Sequence, residues 1–194
     1  AHSVAEHTLA LMLAAARQIP ANDAALRRDE WPRGQMTQLT GKTLGLIGLG
    51  AIGRQTARIA RGIGMRLIAW TFHPDDAFAK ELEIEWVELD ALYERADVVS
   101  IHVRQTPDTE GMVGEEAFAR MKPGAILVNT ARGPIVDEEA LVRALTEGPL
   151  AAAGLDVFGK EPLPSGHPIA RLPNAVLSPH NAGVTPEVTE AGLL

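Results

Sequence analysis

The chain has 194 residues, 46% of them hydrophobic, enough to bury a core and suited to one domain. Its 18 basic and 25 acidic residues leave a net charge of −7 with no basic run, so nucleic acid is not an expected partner. With no cysteine, disulfides and thiolate metal sites are excluded and a cytoplasmic setting is expected. The longest apolar stretch, residues 9–16, is far shorter than the ~20 residues that cross a bilayer, so no membrane partner is expected either.

The chain opens on Ala1-His2-Ser3, without an initiator Met or a signal peptide, and the expectation is a piece of a longer protein. Residues 3–18 read as an apolar helix, with Ser3 as N-cap, Glu6 three residues on and Pro20 beyond its end. Val4, Leu9, Leu11, Met12 and Leu13 spread over more than one face, which predicts burial in the domain or against a partner. Residues 22–31 read as a second, more polar helix closed by Pro32 and Gly34.

Residues 43–47 form a short apolar run typical of a buried strand, and residues 54–61 an amphipathic helical pattern. Between them lies Gly48-Leu49-Gly50-Ala51-Ile52-Gly53. A strand, this glycine spacing and a helix together make a dinucleotide-binding turn. The glycines permit the tight turn, close backbone approach to phosphate and close helix–strand packing, and the helix N-terminus adds partial positive charge. The spacing alone is weak, since 18 glycines produce it readily; the strand-to-helix context is what carries the reading.

Residues 66–70 form a second strand, and at its end, where a carboxylate usually receives the adenosine ribose, stands Thr71, followed by Phe72-His73-Pro74. A threonine neither accepts strongly from a 2′-hydroxyl nor repels a 2′-phosphate. Asp75 or Asp76 taking the acidic role is the alternative, and the choice between NAD and NADP is open. Further on, residues 75–83 read as a polar helix, 84–87 as a short strand, and 90–94 as a helix capped by Asp90. A strand follows within 96–103, then a helix over 115–121, a strand at 125–129, a helix over 138–147 capped by Asp137, and strands at 153–157 and 175–178. Continuous apolar strands alternating with helices predict a doubly wound α/β domain, a parallel sheet covered on both faces. Its polar and glycine-rich segments all fall at carboxyl ends of strands, where such sheets bind ligands.

The motifs then match a family. Gly48–Gly53, Met121-Lys122-Pro123-Gly124-Ala125, Asn129-Thr130-Ala131-Arg132-Gly133 and Val136-Asp137-Glu138 come in that order. Leu155-Asp156-Val157-Phe158, Glu161-Pro162-Leu163, His167-Pro168, Leu172-Pro173-Asn174 and Ser178-Pro179-His180 follow. With these, nearly the whole chain from Val4-Ala5-Glu6-His7 onward resembles the NAD(P)-binding domain of the D-isomer-specific 2-hydroxyacid dehydrogenases. The resemblance implies a Rossmann-type sheet and hydride transfer between NAD(P)H and a 2-oxo or D-2-hydroxy acid.

It also implies catalytic Arg132, Glu161 and His180. A histidine titrates near pH ~6.5 and can supply the proton an alkoxide needs. Glu161, where the similar formate dehydrogenases carry Gln, would orient the imidazole and favour its protonated form, and the planar fork of Arg132 suits the substrate carboxylate. Taken singly, each has a plainer reading: a surface ion-pair partner, a solvated turn residue, a loop histidine. Three of them at neighbouring strand ends favour chemistry.

For the cofactor, the resemblance implies Ala51 and Ile52 at the pyrophosphate, Thr71 near the adenosine ribose and Val103 on the adenine side. It implies Thr130, Ala131, Arg132 and His180 around the nicotinamide, with Asp156 accepting from its carboxamide. One departure stands out: Val103-Arg104-Gln105 replaces the common apolar-Pro-Leu after the strand's histidine. Arg104 is read as facing solvent, ahead of contacting phosphate or marking a subgroup. His102 reads as structural, and His2, His7, His73 and His167 show no ligand grouping, so no metal is expected.

By the same resemblance, residues 1–34 are interdomain helices that help form a homodimer, 41–183 are the cofactor-binding core, and 184–194 start the return to an absent substrate domain. The alternative function is a nucleotide-sensing binding module on the same fold, of the kind the family's corepressors represent.

Overall fold

The structure, a computed structural model, describes residues 1–190. Seven strands form one parallel sheet: β1 (Thr43–Ile47), β2 (Arg66–Trp70), β3 (Ile84–Trp86), β4 (Val98–Ile101), β5 (Ala125–Asn129), β6 (Leu150–Leu155) and β7 (Ala175–Leu177). Their order is β3-β2-β1-β4-β5-β6-β7, every neighbouring pair parallel. The chain lays down β1 to β3 in one direction, then returns to set β4 beside β1. That reversal opens a crevice at the carboxyl ends of β1 and β4, the place where a doubly wound sheet takes its ligand.

The central strands are buried on both faces because helices cover both. Leu44 and Leu46 of β1 pack with Leu9 and Met12 of α1 (His2–Ala16) and with Ala57 and Ala60 of α3 (Ala51–Gly62). Ile47, of opposite parity, packs on the other face with Leu92 of α5 (Leu89–Arg95), Phe118 of α6 (Glu115–Arg120) and Leu141 of α7 (Glu138–Thr146). The period-2 alternation of strand side chains thus divides one apolar run between two cores.

Several boundaries differ from the sequence reading. Ser3 lies inside α1, whose N-cap is Ala1, and its hydroxyl is buried without a partner. Pro20 lies in the first turn of a second helix, α2 (Ile19–Leu26), which stands in place of the one expected over 22–31. A proline fits a first helical turn because no N–H is needed there, and Gln18, with φ of 51°, makes the corner between α1 and α2. Asp90 sits in the first turn of α5, and Glu88 is its N-cap.

β6 starts at Leu150, earlier than expected, because Ala151 and Ala152 lack the branched side chains that announce a strand. Asp137 caps α7 as expected, accepting from Ala140 N–H at 3.0 Å, and Asp75, read as the first residue of a polar helix, instead caps α4 (Asp76–Glu81), accepting from Phe78 N–H at 3.1 Å. Of the expected return segment, α8 (Pro186–Glu190) is described and residues 191–194 lie outside the described residues.

Candidate active site

Five connections meet at the carboxyl edge of the sheet. The first is the turn from β1 into α3. A Cβ on Gly53 would lie 2.3 Å from the Gly48 carbonyl oxygen, so only glycine lets the helix start this close to the strand. Gly50, by contrast, has nothing within 4 Å of where its Cβ would be, and it lines a cavity of about 840 Å³ with Ala51 and Ile52. The first turn of α3 carries no acidic residue, and its N-cap Gly50 brings no capping side chain. Bare N–H groups thus face an open cradle, which fits the pyrophosphate of a dinucleotide.

The second connection leaves β4. His102 and Val103 line the same cavity, and so does Arg104. Burial pushes His102 down to about 4, and its Nε2 lies 2.9 Å from Ser100 Oγ, so it is a neutral structural ring. Arg104 is exposed, as the sequence suggested, but it stands on the cavity wall and not merely in solvent.

The third connection carries Thr130, Ala131 and Arg132, all lining that cavity. Its shape is set by Asn129, 1% exposed, which accepts from Ala131 N–H at 3.0 Å and donates to the Arg132 carbonyl at 2.9 Å. The turn is pressed so closely on the next connection that a Cβ at Gly133 would lie 1.9 Å from the Phe158 carbonyl carbon.

The fourth and fifth connections bring Glu161 and His180 together. His180 Nδ1 lies 2.6 Å from Glu161 Oε2, while Glu161 Oε1 accepts from Phe158 N–H at 3.0 Å. Partial burial pushes the Glu161 carboxyl up. The hydrogen bonds from His180 and Phe158 and the imidazolium charge outweigh it, leaving the group below its ordinary range. Both residues line a second, more apolar cavity of about 590 Å³ with Phe158, Pro162, Leu163 and Leu177.

His180 itself has a left-handed φ of 53°, and Asp156 supports that turn from beneath. The Asp156 carboxylate, 1% exposed, accepts from Asn181 N–H at 3.1 Å, Ala182 N–H at 3.0 Å and the Ser178 hydroxyl at 2.5 Å. With its hydroxyl hydrogen directed at Asp156, Ser178 Oγ accepts in turn from His7 Nε2 at 2.7 Å. Asp156 therefore lies outside the lining of both cavities.

Thr71 stands apart at the end of β2, in a cavity of about 340 Å³ with Trp70, Pro74 and Trp86. Neither acidic alternative is free. Asp75 pairs with Arg54 at 2.8 Å besides capping α4; Asp76 accepts from the Trp86 indole at 3.0 Å. The hydrogen bond from Phe78 N–H and then the one from Arg54 hold the Asp75 carboxyl below its usual range. Asn129, Ser178 and His7 carry no assigned role in the sequence reading, although each sits within one of the family-like motifs; a polar residue ending an apolar strand was the available signal for Asn129. No helix is long and apolar enough to cross a membrane, and among the described residues no three His, Asp or Glu are grouped to hold a metal ion.

Residues 9–182 match the family model described as "D-isomer specific 2-hydroxyacid dehydrogenase, NAD binding domain". The chain belongs to this family. It is 46% identical over 191 residues to a D-3-phosphoglycerate dehydrogenase of Mycobacterium tuberculosis, covering 97% of this chain and 36% of the relative. It is 44% identical to a glyoxylate reductase of Korarchaeum cryptofilum, covering 95% of this chain and 58% of the relative. Among solved structures, it superposes on a D-lactate dehydrogenase with NAD+ from Lactobacillus jensenii with a TM-score of 0.86 and 30% identity, over 94% of this chain and 59% of that one. The chain thus spans between 36% and 58% of the length of those two curated relatives.

Proposed function

We propose that this chain is the cofactor half of an enzyme that moves a hydride between NAD(P)H and a 2-oxo or D-2-hydroxy acid. The observation that carries the reading is the 2.6 Å pairing of His180 with Glu161 beside the cleft that Arg132 lines. A bound nicotinamide supplies the hydride; the chain's own residues supply the rest. Glu161, held ionised, accepts from Nδ1–H and so leaves His180 Nε2 to give a proton to the substrate oxygen, or to take it back in the reverse direction. Arg132 offers two parallel N–H groups to the substrate carboxylate.

Gly48, Gly50, Ala51, Ile52 and Gly53 form the pyrophosphate cradle, Thr71 lies toward the adenosine ribose and Val103 toward the adenine. Thr130 and Ala131 flank the nicotinamide. Asp156, accepting from three donors of the chain, fixes the turn that bears His180 and keeps acceptor capacity for the nicotinamide carboxamide. The relatives are named for different acids, so the substrate class is kept at 2-oxo and 2-hydroxy acids. Their enzyme names do not favour a nucleotide-sensing module. A pyridine-nucleotide reaction suits a cytoplasmic protein, and the exposed apolar side chains near the N-terminus suit a homodimer.

Calorimetric titration with NADH and NADPH tests the reading. Thr71 carries no charge and Asp75 is paired with Arg54, so despite Glu88 on the wall of the Thr71 cavity NADPH is expected to bind comparably to NADH. NADPH binding about 100-fold weaker (~2.7 kcal/mol) would sink that expectation; binding of neither would sink the proposal.

A further inference from the structure

Arg104 is the one cleft cation that the proposed chemistry leaves without a task. Its backbone is fixed at the rim: the fully buried Thr109 hydroxyl donates to the Arg104 carbonyl at 2.7 Å and accepts from Thr106 N–H at 2.8 Å. The guanidinium makes no ion pair among the described residues. Arg54, the arginine nearest the glycine turn in sequence, is committed to Asp75 and to the Leu49 carbonyl.

The cleft needs more positive charge than its backbone supplies. The N-terminus of α3 is equivalent to roughly half a unit charge, and Ala51, Ile52 and Gly53 in its first turn bring no cation. Each phosphate of a dinucleotide carries a full negative charge, and Glu110 on the same wall adds another. Of the two arginines lining the cavity, Arg132 is taken by the substrate carboxylate. We propose that Arg104 pairs with the cofactor's pyrophosphate in the cavity that it lines together with the α3 N-terminus, supplying the charge that the turn lacks. The proposal rests on the reading of the cleft as a dinucleotide site.

The test compares the intact protein with its R104M and R104K variants, measuring NADH and ADP by calorimetry and adenosine by displacement of NADH. R104M is expected to weaken NADH and ADP about tenfold, as loss of one charge-assisted contact does, and to leave adenosine unchanged, while R104K restores most of the loss. An exposed side chain is removed, so the melting temperature should stay that of the wild type; R104Q gives the same comparison should R104M fold poorly. Unchanged ADP affinity in the variant overturns the proposal. So does parallel weakening of ADP and adenosine, which would mean contact with the adenine. A wild type that binds neither NADH nor NADPH overturns the dinucleotide reading beneath it, a result distinct from either.

Discussion

Glu161 divides its two oxygens between different tasks, and the division explains why a carboxylate is needed there. Oε1 accepts from Phe158 N–H and Oε2 faces His180 Nδ1. A glutamine has a single acceptor oxygen, so it must abandon one partner or turn its NH2 toward a donor. In the intact enzyme, E161Q is therefore expected to lower kcat for 2-oxo acid reduction about 100-fold with little change in KM. Equal kcat values in variant and wild type would show that Glu161 does not orient the histidine. Arg132, Glu161 and His180 stand out in the sequence because each follows a strand inside a recognisable motif, and the structure pairs two of them, Glu161 and His180. What holds them was not legible. The Asp156 contacts to Asn181 and Ala182 depend on a left-handed turn at His180, a conformation no side-chain pattern announces.

At the scale of elements, strands buried on both faces were read with the least error. The bounds of β1, β2 and β5 agree with the sequence reading, because a short, mostly apolar run set off by glycine or polar residues leaves little freedom. Helix ends and the alanine-rich β6 were harder, since capping depends on local backbone angles and alanine by itself favours helix over strand. Asp97 shows how one side chain ties such strands together at the amino edge. It accepts from Thr43 N–H at 2.8 Å and pairs with Lys122 at 3.1 Å, while its own carbonyl accepts from Ile126 N–H at 3.1 Å. Burial raises its carboxyl, but the Thr43 N–H, Lys122 and the Lys42 charge outweigh it and hold the group below its ordinary value. The lowered folded value means that the stabilisation is complete above the unfolded pKa of about 3.9 and is lost as pH falls through the folded one. D97A should thus lower unfolding free energy by about 1–3 kcal/mol at pH 7 in urea melts, and the gap from wild type should close in acid. A gap that persists undiminished well below pH 3.9 would assign the loss to packing.

For the whole molecule, the doubly wound α/β class followed from alternation alone, but the surface that the N-terminal helices expose did not. The inward face of α1 is fully engaged: Leu9, Leu11, Met12, Ala15 and Ala16 are each at most 5% exposed. Leu13, Ile19, Leu26, Trp31 and Met36, all within one short stretch of chain, are between 37% and 77% exposed. Scattered single apolar residues are ordinary on a protein surface, whereas five so close in sequence on a chain of net charge −7 invite an apolar partner. A second copy satisfies both copies with the same patch, as a two-fold interface does. Because Ile19 and Leu26 are 57% and 49% exposed, replacing them removes little from the core. The double variant I19E/L26E should keep the wild-type melting temperature at low protein concentration and yet sediment as one copy where the wild type sediments as two. Charges at these positions then act on association alone, since each glutamate remains solvated in a free monomer and must lose that water only when a second apolar face closes over it. A wild type that already sediments as a single copy at micromolar concentration would remove the dimer from the proposal, while leaving the cofactor cleft as it stands.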